Sequence, residues 1–221
     1  MEREHYLQFL YPFQDRVLGR LREVETGFYL TGGTAASRGY LDHRFSEDLD
    51  FFVNDDERFG LWTERVINEL AASDAWHTEV LLKEPRFVRL ALVGDLGSLK
   101  LEFINDVPTH VGEIRQHPVL GKLDSAENIL ANKLTALVDR EEPKDLADVW
   151  GFCCQHSLSV THALEDAHSK AAGLFPADLA RVILSATRSD WELVQWIKAP
   201  EPERYLAELR RVGEELLRIL P

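Results

Sequence analysis

Leu30-Thr31-Gly32-Gly33-Thr34-Ala35, followed after a short helical stretch by His43-Arg44-Phe45-Ser46-Glu47-Asp48-Leu49-Asp50-Phe51-Phe52, is the segment on which the fold turns. Phe28 to Thr31 is an aromatic and β-branched run that reads as a strand ending at the glycine pair. Neither glycine carries a Cβ, so backbone amides there can approach an anion closely. Thr34 to Tyr40 reads as a short helix whose N-terminal amides favour negative charge. The Thr34 hydroxyl suits either a phosphate contact or a helix cap. Asp48 to Val53 reads as the next strand. Residues i and i+2 of a strand point the same way, so Asp48 and Asp50 can share divalent cations. Their neighbours Phe45, Leu49, Phe51, Phe52 and Val53 make this a strongly apolar, central strand, where two carboxylates need a counter-charge such as a bound metal. Cradled phosphates beside paired carboxylates imply nucleotide chemistry.

Working outward, a third carboxylate is expected if two metals are held. Glu102, in the strand Ser98 to Ile104, is the candidate, with Asp106 at the strand end as the fallback. Lys100 shares a face with Glu102, so a merely solvated edge is also open. Lys133 sits between Ile129 and Leu137, inside the apolar arc of a helix. Arg140 lies one heptad further on, and Asp145 and Asp148 share an edge of the following helix. Either these four form a structural network, or Lys133 meets a triphosphate while an aspartate orients it or acts as base. His43 and Arg44 are placed to touch phosphate or substrate. Lys83, Arg86, Arg89 and Lys100 form either a basic face or a set of edge-strand gatekeepers.

The surrounding chain supplies an opening helix (Tyr6 to Val24, with Pro12 as a break or a start) and a helix over Phe59 to Leu70 after possible caps at Asn54, Asp55 and Asp56. Strands follow at His77 to Leu82, Phe87 to Val93 and Ser98 to Ile104. The last two flank the turn Gly94-Asp95-Leu96-Gly97. Past Pro118 the pattern turns helical. Asp124 with Glu127 reads as a capping box before a helix over Ser125 to Arg140, and another covers Asp145 to Gln155. Val160 to Leu220 is helical by period, broken near Pro176, Pro200 and Pro202. The expected fold is α/β (α+β): a domain over 1–120 with a mixed sheet packed by helices, then a helical domain over 121–221 that completes the active site.

The 221 residues are 45% hydrophobic and 29% charged, as in an ordinary soluble globular protein. No run is apolar enough to span a bilayer and no signal pattern opens the chain, so a cytoplasmic protein without membrane attachment is expected. Its only cysteines, Cys153 and Cys154, are adjacent and read as buried free thiols. A net charge of −13 argues against broad, non-specific nucleic-acid binding.

The two blocks Leu30–Ala35 and His43–Phe52 resemble the signature of AbiEii/AbiGii-type nucleotidyltransferases, within the polymerase-β-type superfamily. Asn128 to Asp148, with Lys133-Leu134-Thr135-Ala136-Leu137, Arg140 and Lys144-Asp145-Leu146-Ala147-Asp148, is similar to that family's second block. The resemblance implies a nucleotidyltransferase fold and a helical C-terminal domain. By it, Gly32, Gly33 and Thr34 hold nucleotide phosphates, Asp48 and Asp50 hold Mg²⁺ (or Mn²⁺), Lys133 contacts phosphate, and Asp145 or Asp148 supports catalysis. Glu102 is carried over as the third metal ligand. The family includes toxins of toxin–antitoxin and phage-defence systems, so the expectation is transfer of NMP from an NTP to an acceptor hydroxyl on tRNA, other RNA or protein, with a possible antitoxin partner. The alternatives are a small-molecule, aminoglycoside-like transferase and a non-catalytic nucleotide- or partner-binding protein.

Overall fold

The computed structural model describes residues 3–95, 97–171 and 173–219. The chain divides into two compact units: Met1–Ala35 with Ser46–Asp124, and Ala36–Phe45 with Ser125–Pro221.

The first unit opens with α1 (Arg3–His5), a π-helical turn (Tyr6–Leu10) and α2 (Tyr11–Arg22). Pro12 falls in the first turn of α2, where its missing N–H costs nothing, so it starts a helix. A seven-stranded sheet follows, in the order β3-β4-β5-β2-β1-β7-β6. Its strands are β1 (Tyr29–Thr31), β2 (Leu49–Asn54), β3 (His77–Glu84), β4 (Phe87–Gly94), β5 (Gly97–Asp106), β6 (Arg115–His117) and β7 (Gly121–Leu123). β2 runs parallel to β5 and antiparallel to β1, and β1 runs parallel to β7, so the sheet is mixed. Asp48 and Asp50 are therefore carried by the central strand and the residue before it. Leu96, in the expected β4–β5 turn, lies outside the described residues.

Burial alternates along β2 and β5. Leu49, Phe51 and Val53, with Leu99, Leu101 and Phe103, fill the core. There Phe51 stacks on Phe103 with centroids 5.1 Å apart, and Phe28 meets Phe103 edge-on. α2 and α4 (Phe59–Ala71) add Phe13, Val17, Leu18, Trp62 and Val66 to this core. The alternate residues Asp50, Lys100 and Glu102 occupy the less buried positions.

The second unit contains the π-helical turn Ser37–Leu41, which continues α3 (Gly32–Ala36) out of the first unit. It also holds α5 (Ala126–Arg140), α6 (Pro143–Trp150) with a π-helical extension Gly151–Gln155, α7 (Val160–His168), α8 (Pro176–Leu184), α9 (Arg188–Leu193) and α10 (Pro202–Arg218). Pro176 and Pro202 open α8 and α10. Trp150, Trp196 and Tyr205 of this unit pack edge to face. Leu41 lies so close to Gly151 that a Cβ there would come within 2.6 Å of Leu41 Cδ1. Cys153 and Cys154 are free and half-buried, less enclosed than their apolar context implied. Burial pushes both thiols up, Cys154 to about 11. No helix among the described residues is long and apolar enough to cross a membrane.

The capping box expected from Asp124 and Glu127 does not form; the cap is the next residue. Ser125 caps α5, accepting from the Asn128 amide. Asp124 is fully buried, accepting from Thr31 Oγ1 at 2.6 Å and pairing with His110 at 2.9 Å. A buried hydroxyl on β1 claims the carboxylate that local pattern assigned to the helix.

Candidate active site

Gly32 has φ +66, a conformation that side chains resist, and a Cβ there would lie 2.2 Å from Asp50 Oδ2. The glycine thus serves two demands: it turns the strand into α3, and it leaves room for the Asp50 carboxylate. The first amides of α3 have no partner within the helix and carry its positive pole. Thr34 is fully buried, and its hydroxyl donates to the carbonyl of Asp48 at 2.5 Å, tying the helix start to the strand. Gln14 of α2 steadies the approach to Asp48 by donating to the carbonyls of Ser46 and Glu47.

Register gathers the acids. Asp50 lies opposite Thr31 on β1 and opposite Glu102 on β5. Lys100 Nζ stands 2.9 Å from Asp48 Oδ2 and 3.3 Å from Glu102 Oε1, bridging the two. Arg89 of β4 donates from Nε to Glu102 Oε1 at 2.9 Å. Partial burial would lower the Lys100 pKa, but Asp48 and Glu102 outweigh it and hold the ammonium above its ordinary value. Asp106 pairs instead with Asn54, four residues further along β5. Glu102, not Asp106, is the carboxylate beside the aspartate pair.

Among the described residues, no three His, Cys, Asp or Glu side chains gather tightly enough to cage a metal. Mg²⁺ retains waters and is commonly held by one or two carboxylates plus substrate phosphates. The donors here are all oxygen, Asp48 keeps 36% of its side chain exposed, and a side-chain cation already sits against it. The residues fit a hard divalent ion.

The basic residues of the strand pair do not form one face. Lys83 pairs with Glu64 of α4 and Arg86 with Asp55, while Arg89 and Lys100 turn to the acids.

In the second unit, Lys133, Arg140, Asp145 and Asp148 do meet, joined by Arg44 and His43. Lys133 Nζ lies 2.7 Å from Asp145 Oδ1 and 2.7 Å from Asp148 Oδ2. Arg140 donates to Asp145. Arg44 grips Asp148 with two parallel bonds of 2.7 Å, the fork geometry that suits a guanidinium. Burial would raise the Asp148 carboxyl, but Arg44, Lys133 and His43 overcome it and hold it well below the usual range. Burial would likewise lower Lys133, yet Asp148 and Asp145 keep it raised. Glu142 also lies at the rim of the cluster, 3.9 Å from Arg140 Nε. His43 is fully enclosed, and burial dominates in lowering its pKa. Its Nε2 faces Asp148 at 3.0 Å, and its Nδ1 has no hydrogen-bond partner among the described residues. Facing an ionised carboxylate, Nε2 carries the proton.

Arg44, a phosphate or substrate candidate by sequence, is 4% exposed and committed to Asp148. Its neighbours fix it there: the amide of Phe45 donates to the Gln195 carbonyl, and that of Ile197 to the His43 carbonyl. Lys100 and Arg89 are the residues whose roles the sequence did not disclose. The cross-strand signal, Arg89 opposite Glu102, exists only once the register is known.

A family profile described as "Nucleotidyl transferase AbiEii toxin, Type IV TA system" matches residues 16–211. No curated protein matches the chain. Among solved structures, JHP933 from Helicobacter pylori is 19% identical with a TM-score of 0.64, covering 99% of this chain and 94% of that one. MenT4, a nucleotidyltransferase toxin of Mycobacterium tuberculosis, is 19% identical with a TM-score of 0.60, covering 96% of this chain and 84% of that one. At such identity these two likenesses speak to fold alone.

Proposed function

We propose, on the premise that this chain belongs to the AbiEii nucleotidyltransferase family, that it moves NMP from an NTP to an acceptor hydroxyl on tRNA, another RNA or a protein. The observation that supports this reading best is the close approach of the Asp50 carboxylate to Gly32 at the start of α3, with Glu102 in register beside Asp50 on the parallel strand β5. In the reaction the acceptor oxygen bonds to the α-phosphorus, the bond from that phosphorus to the β-phosphate bridging oxygen breaks, and pyrophosphate leaves. The amides at Gly32, Gly33 and Thr34 receive phosphate oxygens. Asp48 and Asp50, with Glu102 as the third carboxylate, are the residues that would hold Mg²⁺ or Mn²⁺, which when bound activates the hydroxyl and neutralises the triphosphate.

We assign Lys133 the phosphate contact. Asp145 and Asp148 hold its ammonium in place, and Arg44 locks Asp148. Orientation is favoured over a base role for Asp148, because a carboxylate held so low binds a proton weakly. The family description also supports a cognate antitoxin as partner. The net charge of −13 favours keeping a small cationic acceptor as a second reading.

The test is transfer from each α-³²P-labelled NTP, with Mg²⁺, to total RNA, purified tRNA, cell protein, aminoglycosides and the enzyme itself. Asp48→Ala/Asp50→Ala is the blank. Label on one acceptor that vanishes with the blank establishes the transfer and its substrate class. Nucleotide binding with no label on any acceptor overturns it.

A further inference from the structure

We propose that Lys100 is an internal counter-ion that keeps the aspartate pair from holding a divalent cation firmly until a nucleotide's phosphates arrive. This rests on the metal-binding reading of Asp48 and Asp50 given above. The Lys100 ammonium sits against Asp48 Oδ2 at 2.9 Å and Glu102 Oε1 at 3.3 Å, the place where a metal shared by those carboxylates would need to lie. Its cross-strand neighbour on β4 is Ala91, which offers no other anion. Its side chain is 40% exposed, so the flexible stem has room to swing away.

Charge decides the order of events. Lys100 answers Asp48 and Glu102, and Arg89 also pairs with Glu102, so these two carboxylates are already matched by two cations. A divalent ion entering alone turns the cluster positive and repels the ammonium from its two carboxylates. A triphosphate entering with the ion restores the balance and gives the displaced ammonium new oxygens to meet. Arg89 stays on Glu102 throughout, since its bond does not involve Asp48. The consequence is coupling: metal binds weakly by itself and tightly with nucleotide, and each strengthens the other equally.

The test measures free Mn²⁺ by electron paramagnetic resonance during titration of the full chain with MnCl₂. It is run with and without the α,β-methylene analogues of ATP, CTP, GTP and UTP, which bind but do not transfer. Lys100→Met retains the stem and removes the charge, and Lys100→Arg retains the charge. The expected result is that Lys100→Met binds Mn²⁺ alone about five-fold more tightly than wild type, the scale of one exposed ion pair. The strengthening by nucleotide shrinks by a similar factor, and Lys100→Arg behaves as wild type. Equal Mn²⁺ affinity for Lys100→Met and wild type, in variants whose circular dichroism melts coincide, overturns the proposal. Asp48→Asn/Asp50→Asn separates this from failure of the underlying reading. If that variant binds Mn²⁺ like wild type, the carboxylates are not the metal site and both fall.

Discussion

At the scale of single residues, two positions carry most of the argument. Gly32→Ala places a Cβ against Asp50 Oδ2 and forces a side chain into a left-handed backbone. We expect a loss of about 1–2 kcal/mol of stability from the backbone alone, read as a lowered urea midpoint. Transfer should fall about a hundred-fold through misplacement of Asp50, read with the labelled-NTP assay. The buried cluster of the second unit predicts a two-step acid response. His43 has a folded pKa below its ordinary 6.5, so the unfolded chain takes the proton first and stability declines as pH falls below 6.5. Asp148 is lowered below 3.8, so its contribution is present above 3.8 and is lost as pH falls further, toward its folded value. Urea midpoints taken across this range should show both phases, and His43→Gln should remove the upper one while Arg44 and Lys133 keep most of the lower one.

At the scale of elements, the contest between Asp124 and Ser125 for the start of α5 is measurable. Ser125→Ala removes the cap and should cost about 1 kcal/mol. Asp124→Ala strands the buried Thr31 hydroxyl and should cost about 1–3 kcal/mol, and the ratio of the two urea midpoint shifts checks the assignment. The same contest shows where sequence reading succeeds and stops. β2, β4 and β5 were legible because one face of each meets the core, which imposes alternation on Leu49, Phe51 and Val53 and their counterparts. The glycine turn and the aspartate pair were legible because rare residues stand at fixed spacing. The three-residue strands β6 and β7 are too short to show a period. Arg44 and Asp148 are 104 positions apart, so nothing local announces their bond. Lys100 was visible as a charge beside Glu102, but its contact with Asp48 depends on the register of two parallel strands. Local pattern names the residues; partners depend on pairings that only the folded chain sets.

At the scale of the whole molecule, the charge of −13 constrains how an RNA acceptor is held. The basic residues near the acids are already paired with carboxylates, so few cations remain to displace counter-ions from a polymer. If RNA is the acceptor, the logarithm of its affinity should fall with the logarithm of salt at a shallow slope. That slope would correspond to about two or three neutralised phosphates, measured by filter binding. The path of the chain has a further consequence. Ala36–Phe45 belongs with residues that come 80 positions or more after it, while the stretches on either side belong to the first unit. On the ribosome, Arg44 emerges well before Asp148. At about 5–20 residues per second it waits roughly 5–20 s for its carboxylate. In the last part of that interval, after Leu123 and before Asp148, the sheet unit has all its strands yet carries a ten-residue segment with an unanswered guanidinium. The nascent protein thus passes through a stage in which its first half is structurally finished and its second-unit cluster cannot yet exist.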